Sequence, residues 1–427
     1  MAKRKWIRTF LAACVVAGVA AMVTGCGSTS DVVEIEVIQS KSEASDIFEE
    51  LEEEFNKTHE DIHLTITTPN DAATILQTRF IREDYPDIIL IAGDVNYSYY
   101  VDAGILADVS DYEGLSLVNE AYIEILENLE FVPTEGTFGI PYVANAAGVL
   151  YNMEMFEEHG WEVPETWDEL IELCETIQSE GILPFYFGYK DTWTCLAPWN
   201  ALAVSLAPSD VCQQVNRGLT TFTTEYREIA EKMLTLLTFG EKGAVGYGYN
   251  DACTAFANGQ SAMYTIGSYA IPQIKSVNPD MVIGSFVMPA SNDAEENVLN
   301  SGIDLQFCVL EACENKDAAY EVIDFFLEHE NVQTYLDSQI AIPCLNDGEY
   351  ELADELDGML AYIEEGKMVD FQDHYYPAEM SVDAMIQTLL IDQDVDEFLS
   401  DFDTNWVRYN RDIIQMVEDY EAERAED

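Results

Sequence analysis

The chain has 427 residues, and its 81 acidic residues against 19 basic ones give a formal net charge of −62 at pH 7. Phosphate backbones are repelled by such a charge, so nucleic acid is not expected as a partner, and the acidic side chains are interpreted mostly as solvated surface. With 48% apolar residues the chain can build hydrophobic cores, and its length exceeds the roughly 250 to 300 residues at which one core stops growing, which predicts two lobes.

The amino end has the pattern of an export signal. Basic residues between Lys3 and Arg8 precede an apolar stretch from Phe10 to Val23. That stretch is shorter than the roughly 20 residues that a helix needs to cross a bilayer. Residues 1–25 are therefore predicted to be a signal peptide.

The signal ends in Val23-Thr24-Gly25-Cys26, which resembles a lipobox. By that resemblance Cys26 carries the lipid, and residues 26–30 form a short flexible tether. The expected location is the cell membrane, with the protein lipid-anchored on the extracytoplasmic face. The alternative is an ordinary secretory signal with an incidental cysteine.

The next elements alternate between strand and helix. Residues 33–37 alternate apolar and acidic side chains, which is typical of a half-buried strand. A helix is predicted over residues 47–55, and a second alternating strand over 62–66. Residues 87–91 are almost wholly apolar, as in a strand covered on both faces. This order predicts a parallel sheet flanked by helices.

The segment from Gly139 to Cys174 combines a strand with a helix start. Residues 149–151 are apolar without a helical period and predict a buried strand. Thr166 followed by Glu169 is a capping box, in which the hydroxyl and the carboxylate each accept a free backbone amide. A helix is therefore predicted to begin near Trp167.

This segment resembles the signature region of the family 1 extracellular solute-binding proteins. The matching residues are Ile140-Pro141-Tyr142, Gly148 to Leu150, Tyr151-Asn152 and the run from Gly160 through Pro164 to Leu170. Further matches are spread along the chain: Tyr85 to Ile89, Ala255 to Met263, Gly267-Ser268-Tyr269, Met288-Pro289, Asn300 to Asp304, Ala318 to Phe326, and Ile342-Pro343. The resemblance thus covers nearly the whole chain after the signal.

The resemblance implies an α/β fold of the type II periplasmic-binding-protein kind. Each lobe is expected to hold a mostly parallel sheet flanked by helices, and the lobes to be joined by crossings near residues 143–146, 302–304 and 324–327. The N-terminal lobe would hold residues 31–143 and 304–325, and the C-terminal lobe 146–302 and 327–427. The implied protein is a monomeric receptor without a cofactor, which passes a carbohydrate to the permease subunits of an ABC importer.

Candidate ligand-binding residues follow the predicted strands or lie in aromatic segments. Ligands of open α/β sheets bind beyond the carboxyl ends of the strands, and sugars are met by flat aromatic rings together with amides and carboxylates. The motif position supports Asn145 and Tyr269, whereas core packing is an alternative for Trp193 and Trp199. The complete set is Ser40, Lys41, Asp94, Tyr97, Asn145, Trp193, Trp199, Tyr269, Asp304, Tyr376 and Glu379.

Two alternatives to sugar capture stay open. The acidic balance suits a cationic small solute such as a polyamine. An enzyme acting on extracellular glycan would need two carboxylates at a set separation, and with 81 acids no pair is informative. The run from Gly259 to Met263 lacks the second glycine of a G-x-S-x-G nucleophile elbow, which argues against a serine hydrolase.

The histidines and cysteines do not predict a metal site. The run His59-Glu60-Asp61-Ile62-His63 has the H-E-x-x-H spacing, but its two histidines flank a predicted strand start and do not share a helix face, and the sequence contains no C-x-x-C. Apart from Cys14 in the signal and Cys26, seven cysteines remain, an odd number that cannot all pair within one chain. Buried free thiols are therefore expected, and an exported protein with so many suggests a low-oxygen habitat as a hypothesis.

Overall fold

The computed structural model describes residues 32–346 and 348–426. The predicted signal peptide, Cys26 and the tether lie outside the described residues. Among the described helices, none has the length and apolar composition that a bilayer crossing requires.

The strands in the described part of the chain form two sheets. Their bounds are β1 Val33–Gln39, β2 Ile62–Thr67, β3 Ile88–Ile91, β4 Ile140–Ala147, β5 Val149–Asn152, β6 Leu183–Phe185, β7 Ser261–Tyr264, β8 Ile283–Phe286, β9 Leu299–Val309, β10 Ile342–Pro343 and β11 Met368–Val369. The first sheet has the order β10-β4-β9-β3-β1-β2, with β11 paired to β9, and the second has the order β6-β7-β5-β8.

Helices cover both sheets and build much of the second lobe. Their bounds are α1 Ser45–Thr58, α2 Ala72–Ile81, α3 Val95–Asp102, α4 Glu120–Leu129, α5 Met153–His159, α6 Trp167–Ser179, α7 Leu196–Leu206, α8 Val211–Asn216, α9 Phe222–Glu225, α10 Arg227–Leu237, α11 Tyr249–Ala257, α12 Ile271–Val277, α13 Lys316–Leu327, α14 His329–Gln339, α15 Asp357–Glu364, α16 Val382–Asp392, α17 Val395–Tyr409 and α18 Arg411–Glu426.

The predicted β-α-β-α-β start of the chain is confirmed. Strands β1, β2 and β3 pair in parallel, with Val37 opposite both Ile66 and Ile88. All four residues of β3 are buried, as expected of a strand covered on both faces. The predicted capping box is also present, because Thr166 Oγ1 accepts from Glu169 N while Glu169 Oε2 accepts from Thr166 N.

The second sheet differs from the predicted parallel arrangement. Only β6 and β7 are parallel, whereas β5 pairs antiparallel with both β7 and β8. The reason is that β5 continues the strand that leaves the first lobe, β4, after the single residue Gly148. Its direction is therefore set by the passage between lobes rather than by a βαβ crossover.

Two of the predicted crossings between the lobes lie in one long antiparallel pair of strands, β4 and β9. Strand β4 runs out of the first lobe and β9 runs back, and Asn145 lies opposite Gly302 in their register. The chain therefore passes between the lobes along two hydrogen-bonded strands.

The crossing predicted near residues 324–327 is wrong. Helix α13 continues to Leu327 and, together with α14, packs on the same hydrophobic core as β1 to β3. Strand β10 pairs with β4 in the first sheet. Ala341 and Leu345 belong to the first-lobe core, and Tyr350 and Leu352 still pack against it, so the last crossing follows these residues.

The described cysteines beyond the signal are all free and buried, which confirms the expected state of these thiols. They are Cys174, Cys195, Cys212, Cys253, Cys308, Cys313 and Cys344.

Candidate ligand-binding site

The two crossing strands place an amide and a carboxylate side by side. Asn145 on β4 donates from Nδ2 to Asp304 Oδ1 on β9 at 2.9 Å. The other carboxylate oxygen of Asp304 accepts from Lys41 Nζ. Asn145 Oδ1 is buried and has no hydrogen-bond partner among the described residues. Since buried polar atoms are normally satisfied, this oxygen marks a position for a donor from outside the chain.

Lys41 is held by the residue that ends β1. Buried Gln39 accepts from Lys41 N at 2.6 Å and donates to Lys41 O at 2.9 Å, so both backbone groups of Lys41 are fixed. The Lys41 and Asp304 side chains are only 7% and 14% exposed. Their ion pair is therefore a buried one, part of the first-lobe wall.

Two aromatic rings of the second lobe face this wall. The ring centroids of Trp193 and Tyr269 lie 6.1 Å apart, and Trp193 stays 40% exposed, which is unusual for an indole with no function at the surface. Gly267 allows Tyr269 to fold back on its own backbone, because a Cβ at Gly267 would lie 2.3 Å from the ring. Burial raises the pKa of Tyr269, and the nearby Asp373 raises it further. The phenol is therefore a neutral hydrogen-bonding group.

A segment near the end of the chain completes the site. Asn200 Nδ2 donates to Asp373 Oδ1 at 2.6 Å, and Asp373 N donates to Asn200 Oδ1 at 3.2 Å. His374 Nδ1 lies 2.8 Å from Asp370 Oδ1. This segment packs against β9 only because residue 302 is glycine, since a Cβ there would lie 2.1 Å from Asp370 Oδ1.

Together these side chains line a cavity of about 200 Å³ between the lobes. Its lining combines aromatic rings, two amides, two carboxylates, an imidazole and small apolar groups: Ala92, Asn145, Trp193, Leu196, Ala197, Asn200, Tyr269, Gly302, Ile303, Asp304, Phe371, Asp373 and His374. Concave sites with a few converging polar groups are typical of small-molecule binding.

His374 is the positive centre of a carboxylate cluster. Burial by itself lowers the pKa of this imidazole, but Asp370, Asp373 and Asp94 outweigh that effect and raise the pKa to about 10. Burial raises the pKa of Asp370 and of Asp94. Within the described residues, no group of three or more His, Cys, Asp or Glu side chains is arranged to hold a metal ion.

A sequence model of the bacterial extracellular solute-binding proteins matches residues 40–333, which is well over half of the chain. The chain belongs to this family. The match includes both crossing strands together with Trp193 and Tyr269, whereas Phe371, Asp373 and His374 of the cavity lie beyond its end.

Relatives and solved structures agree with this membership. The multiple sugar-binding protein of Streptococcus mutans is 28% identical over 324 residues, which cover 73% of this chain and 74% of the relative. The melibiose/raffinose/stachyose-binding protein MelE of Bacillus subtilis is 22% identical over 271 residues, covering 60% and 61%. The apo structure of RafE from Streptococcus pneumoniae superposes with a TM-score of 0.78 at 24% identity, covering 88% of this chain and 97% of RafE. The fold is thus that of a two-lobe solute-binding protein.

Four of the predicted residues line the cavity of this solute-binding protein: Asn145, Trp193, Tyr269 and Asp304. Lys41 contacts the site through Asp304. Asp94 caps α3 by accepting from Asn96 N at 2.9 Å, and it acts on the site through its charge near His374.

The remaining predicted residues lie elsewhere. Trp199 and Tyr376 are buried in the second-lobe core, where Trp199 Nε1 donates to Tyr376 Oη at 3.2 Å. Tyr97 is 1% exposed and packs in the core between the lobes. Ser40 is exposed and does not line the cavity, and neither does the exposed Glu379. The core aromatics are accounted for by their packing, since large rings at these positions fill the interior.

Sequence reasoning missed Phe371, Asp373 and His374. They follow β11, which pairs with β9 and so returns the chain to the hinge some seventy residues after it left. The predicted set contains the neighbouring Tyr376 instead. The predicted set also lacks Asn200, which lines the cavity, and contains its neighbour Trp199, which does not.

Proposed function

We propose that this protein captures a carbohydrate between its lobes and delivers it to an ABC importer. The observation that carries the proposal is the composition of the cavity, in which Trp193 and Tyr269 face the amide and carboxylate of Asn145 and Asp304. Aromatic rings match the C–H faces of a sugar, and amides and carboxylates match paired hydroxyls.

Names of the relatives support a sugar as the solute. The relatives from Streptococcus mutans and Bacillus subtilis are named for sugars of several kinds. A structure of RafE is described as a complex with raffinose. The names of these relatives therefore favour a neutral sugar, rather than a cationic solute such as a polyamine, as the ligand of this chain.

The charges in the cavity also favour a neutral sugar over a polyamine. Asp304 is already neutralised by Lys41, and Asp373 is held by Asn200. A polyamine would have to displace these partners, whereas a sugar hydroxyl adds to them. We also infer that the solute leaves chemically unchanged, as suits a receptor that only transports.

The proposal also includes how the protein is attached to the cell and how its lobes are divided. Residues 1–25 would be removed, Cys26 would carry the lipid, and residues 26–30 would tether a monomer to the extracytoplasmic face. We place the lobes at residues 31–143 with 304–352 and at 146–302 with the remainder of the chain. The β4 and β9 crossing would bend when the lobes close on ligand.

Thermal unfolding of the chain without residues 1–26 tests this function. The protein is melted with mono- and oligosaccharides and with polyamines as the competing class. A ligand at roughly 100 times its Kd adds about 2.7 kcal/mol to the stability of the folded state, which raises the Tm measurably. We expect a shift with one class of sugars and recovery of that sugar unchanged by chromatography. A shift with polyamines alone, or new chromatographic products, would contradict the proposal.

A further inference from the structure

A second cavity of about 190 Å³ lies beside the first, between the same two lobes. Its first-lobe wall comes from the start of α3 and from residues 127–133, and its second-lobe wall from α8, α17 and α18. His374 lines both cavities. The imidazole is therefore the boundary between two parts of one interlobe cleft.

Two amide side chains in the second cavity have atoms without partners. Asn410 is 2% exposed, and its Nδ2 has no hydrogen-bond partner among the described residues. Gln213 Oε1 is equally unpartnered, while Gln213 Nε2 donates to Asn128 O of the other lobe at 2.5 Å. A buried donor and a buried acceptor without an internal partner thus belong to two residues that line the same cavity. Buried polar groups normally have partners, and the position of these two residues in a cavity lining makes a ligand the partner that we consider.

The chemistry of this pair identifies the class of ligand. A hydroxyl group both donates and accepts, so a polyhydroxylated molecule satisfies Asn410 Nδ2 and Gln213 Oε1 together. An ammonium group only donates, and a phosphate only accepts. The lining carries three acidic side chains, Glu127, Glu130 and Asp210, against two basic ones, Arg217 and His374, so its net charge does not favour an anion.

We propose that the second cavity is a further sugar subsite, so that one extended oligosaccharide runs from Trp193 past His374 to Asn410. This inference rests on the proposed function and adds the length of the ligand. Each cavity alone is about 200 Å³, and only together do they reach the roughly 300 to 1,000 Å³ typical of ligand pockets. A monosaccharide would leave the Asn410 end unfilled.

Calorimetric titration with sugars of rising length tests the subsite. The probes are galactose, melibiose, raffinose and stachyose, with glucose-based and chitin-derived series titrated in the same way. The variant is Asn410→Leu, which keeps the size of the side chain and removes its amide. Because Asn410 Nδ2 has no internal partner, we expect this variant to fold with unchanged or higher Tm. Asn405→Leu, on α17 just before Asn410 and outside the cavity, is the matched control.

We expect wild-type affinity to rise with chain length. Asn410→Leu should lose about tenfold in affinity for the longer sugars and little for the shortest, whereas Trp193→Ala should weaken every length. Wild-type affinity independent of length, or an Asn410→Leu effect that is absent or equal at every length, would overturn the subsite and leave the proposed function standing. A wild-type protein that binds none of the sugars would overturn both.

Discussion

Lys41 and Asp304 form an ion pair inside the cleft, although 263 residues separate them along the chain. The pair joins the loop after the first strand to the strand that returns from the second lobe. Asp304 also binds Asn145, so a single carboxylate connects three segments that meet at the hinge.

Breaking this pair should destabilise the protein. Lys41→Met leaves a buried carboxylate without its cation, and we expect the free energy of unfolding to fall by about 3 kcal/mol. Adding Asp304→Asn to this variant removes the unpaired charge and should recover part of that loss. Urea unfolding measures both. Lys316→Met is the control, because its pair with Glu311 lies at the surface and should contribute less than about 1 kcal/mol. Equal losses from Lys41→Met and Lys316→Met would contradict a special role for the cleft pair.

Substitution of the exposed Trp193 should weaken binding, whereas substitution of the buried Trp199 should lower stability. Trp193→Ala and Tyr269→Ala remove rings that line the cavity, and we expect each to weaken sugar binding by about 1 to 3 kcal/mol with little change in Tm. Tyr247→Ala, an exposed tyrosine outside the cavity, should bind as wild type does. Unchanged affinity of Trp193→Ala and Tyr269→Ala by calorimetry would remove both rings from the site.

Trp199→Ala should have the opposite effect. This indole is fully buried and packs edge-on against Tyr226 at 5.3 Å between ring centroids. Its truncation leaves a cavity in the second-lobe core, and we expect a loss of about 3 to 5 kcal/mol in unfolding free energy. A stable Trp199→Ala protein with weakened affinity would show instead that this ring contacts the ligand.

Stability should depend on His374 at alkaline pH. The folded state holds the pKa of His374 at about 10, above the usual value of 6.5. The contribution of His374 to the free energy of unfolding is therefore fully present below about pH 6.5, and it is lost as the pH rises through 10. We expect wild type to lose more stability between pH 7 and pH 10 than His374→Gln does, measured by urea unfolding. His63→Gln, at an exposed position, should follow the wild-type profile. Parallel profiles of wild type and His374→Gln would refute the assignment.

Gly302→Ala should displace the segment that carries Asp370 and His374. The added Cβ would lie 2.1 Å from Asp370 Oδ1 and 2.7 Å from Phe371, so that segment has to move. We expect a loss of about 1 to 3 kcal/mol in stability together with weaker sugar binding. Gly246→Ala is the control, since no heavy atom lies within 4 Å of its Cβ position. If both variants bind sugar as wild type does, the close packing of Gly302 against the Asp370 segment is not needed for binding.

The sequence predicted local structure better than the composition of the site. The alternating strands and the Thr166 capping box depend on neighbouring residues, and both are present in the structure. Asn145, Tyr269 and Asp304 could be found because they lie in motifs of the family. His374 could not, because it reaches the cleft only through the pairing of β11 with β9, and nothing local predicts that contact. Trp199 and Tyr376 pack in the second-lobe core, and residue type alone does not distinguish a ring that faces the ligand from one that faces the core.

The seven buried thiols determine which chemistry the folding of this chain requires. None of them pairs in the fold, so the native state requires no oxidant, no disulfide isomerase and no particular order of bond formation. Disulfide chemistry therefore adds no slow step to the folding of this chain. Oxygen enters this process only as a hazard, since it can trap thiols that are exposed before the cores have closed.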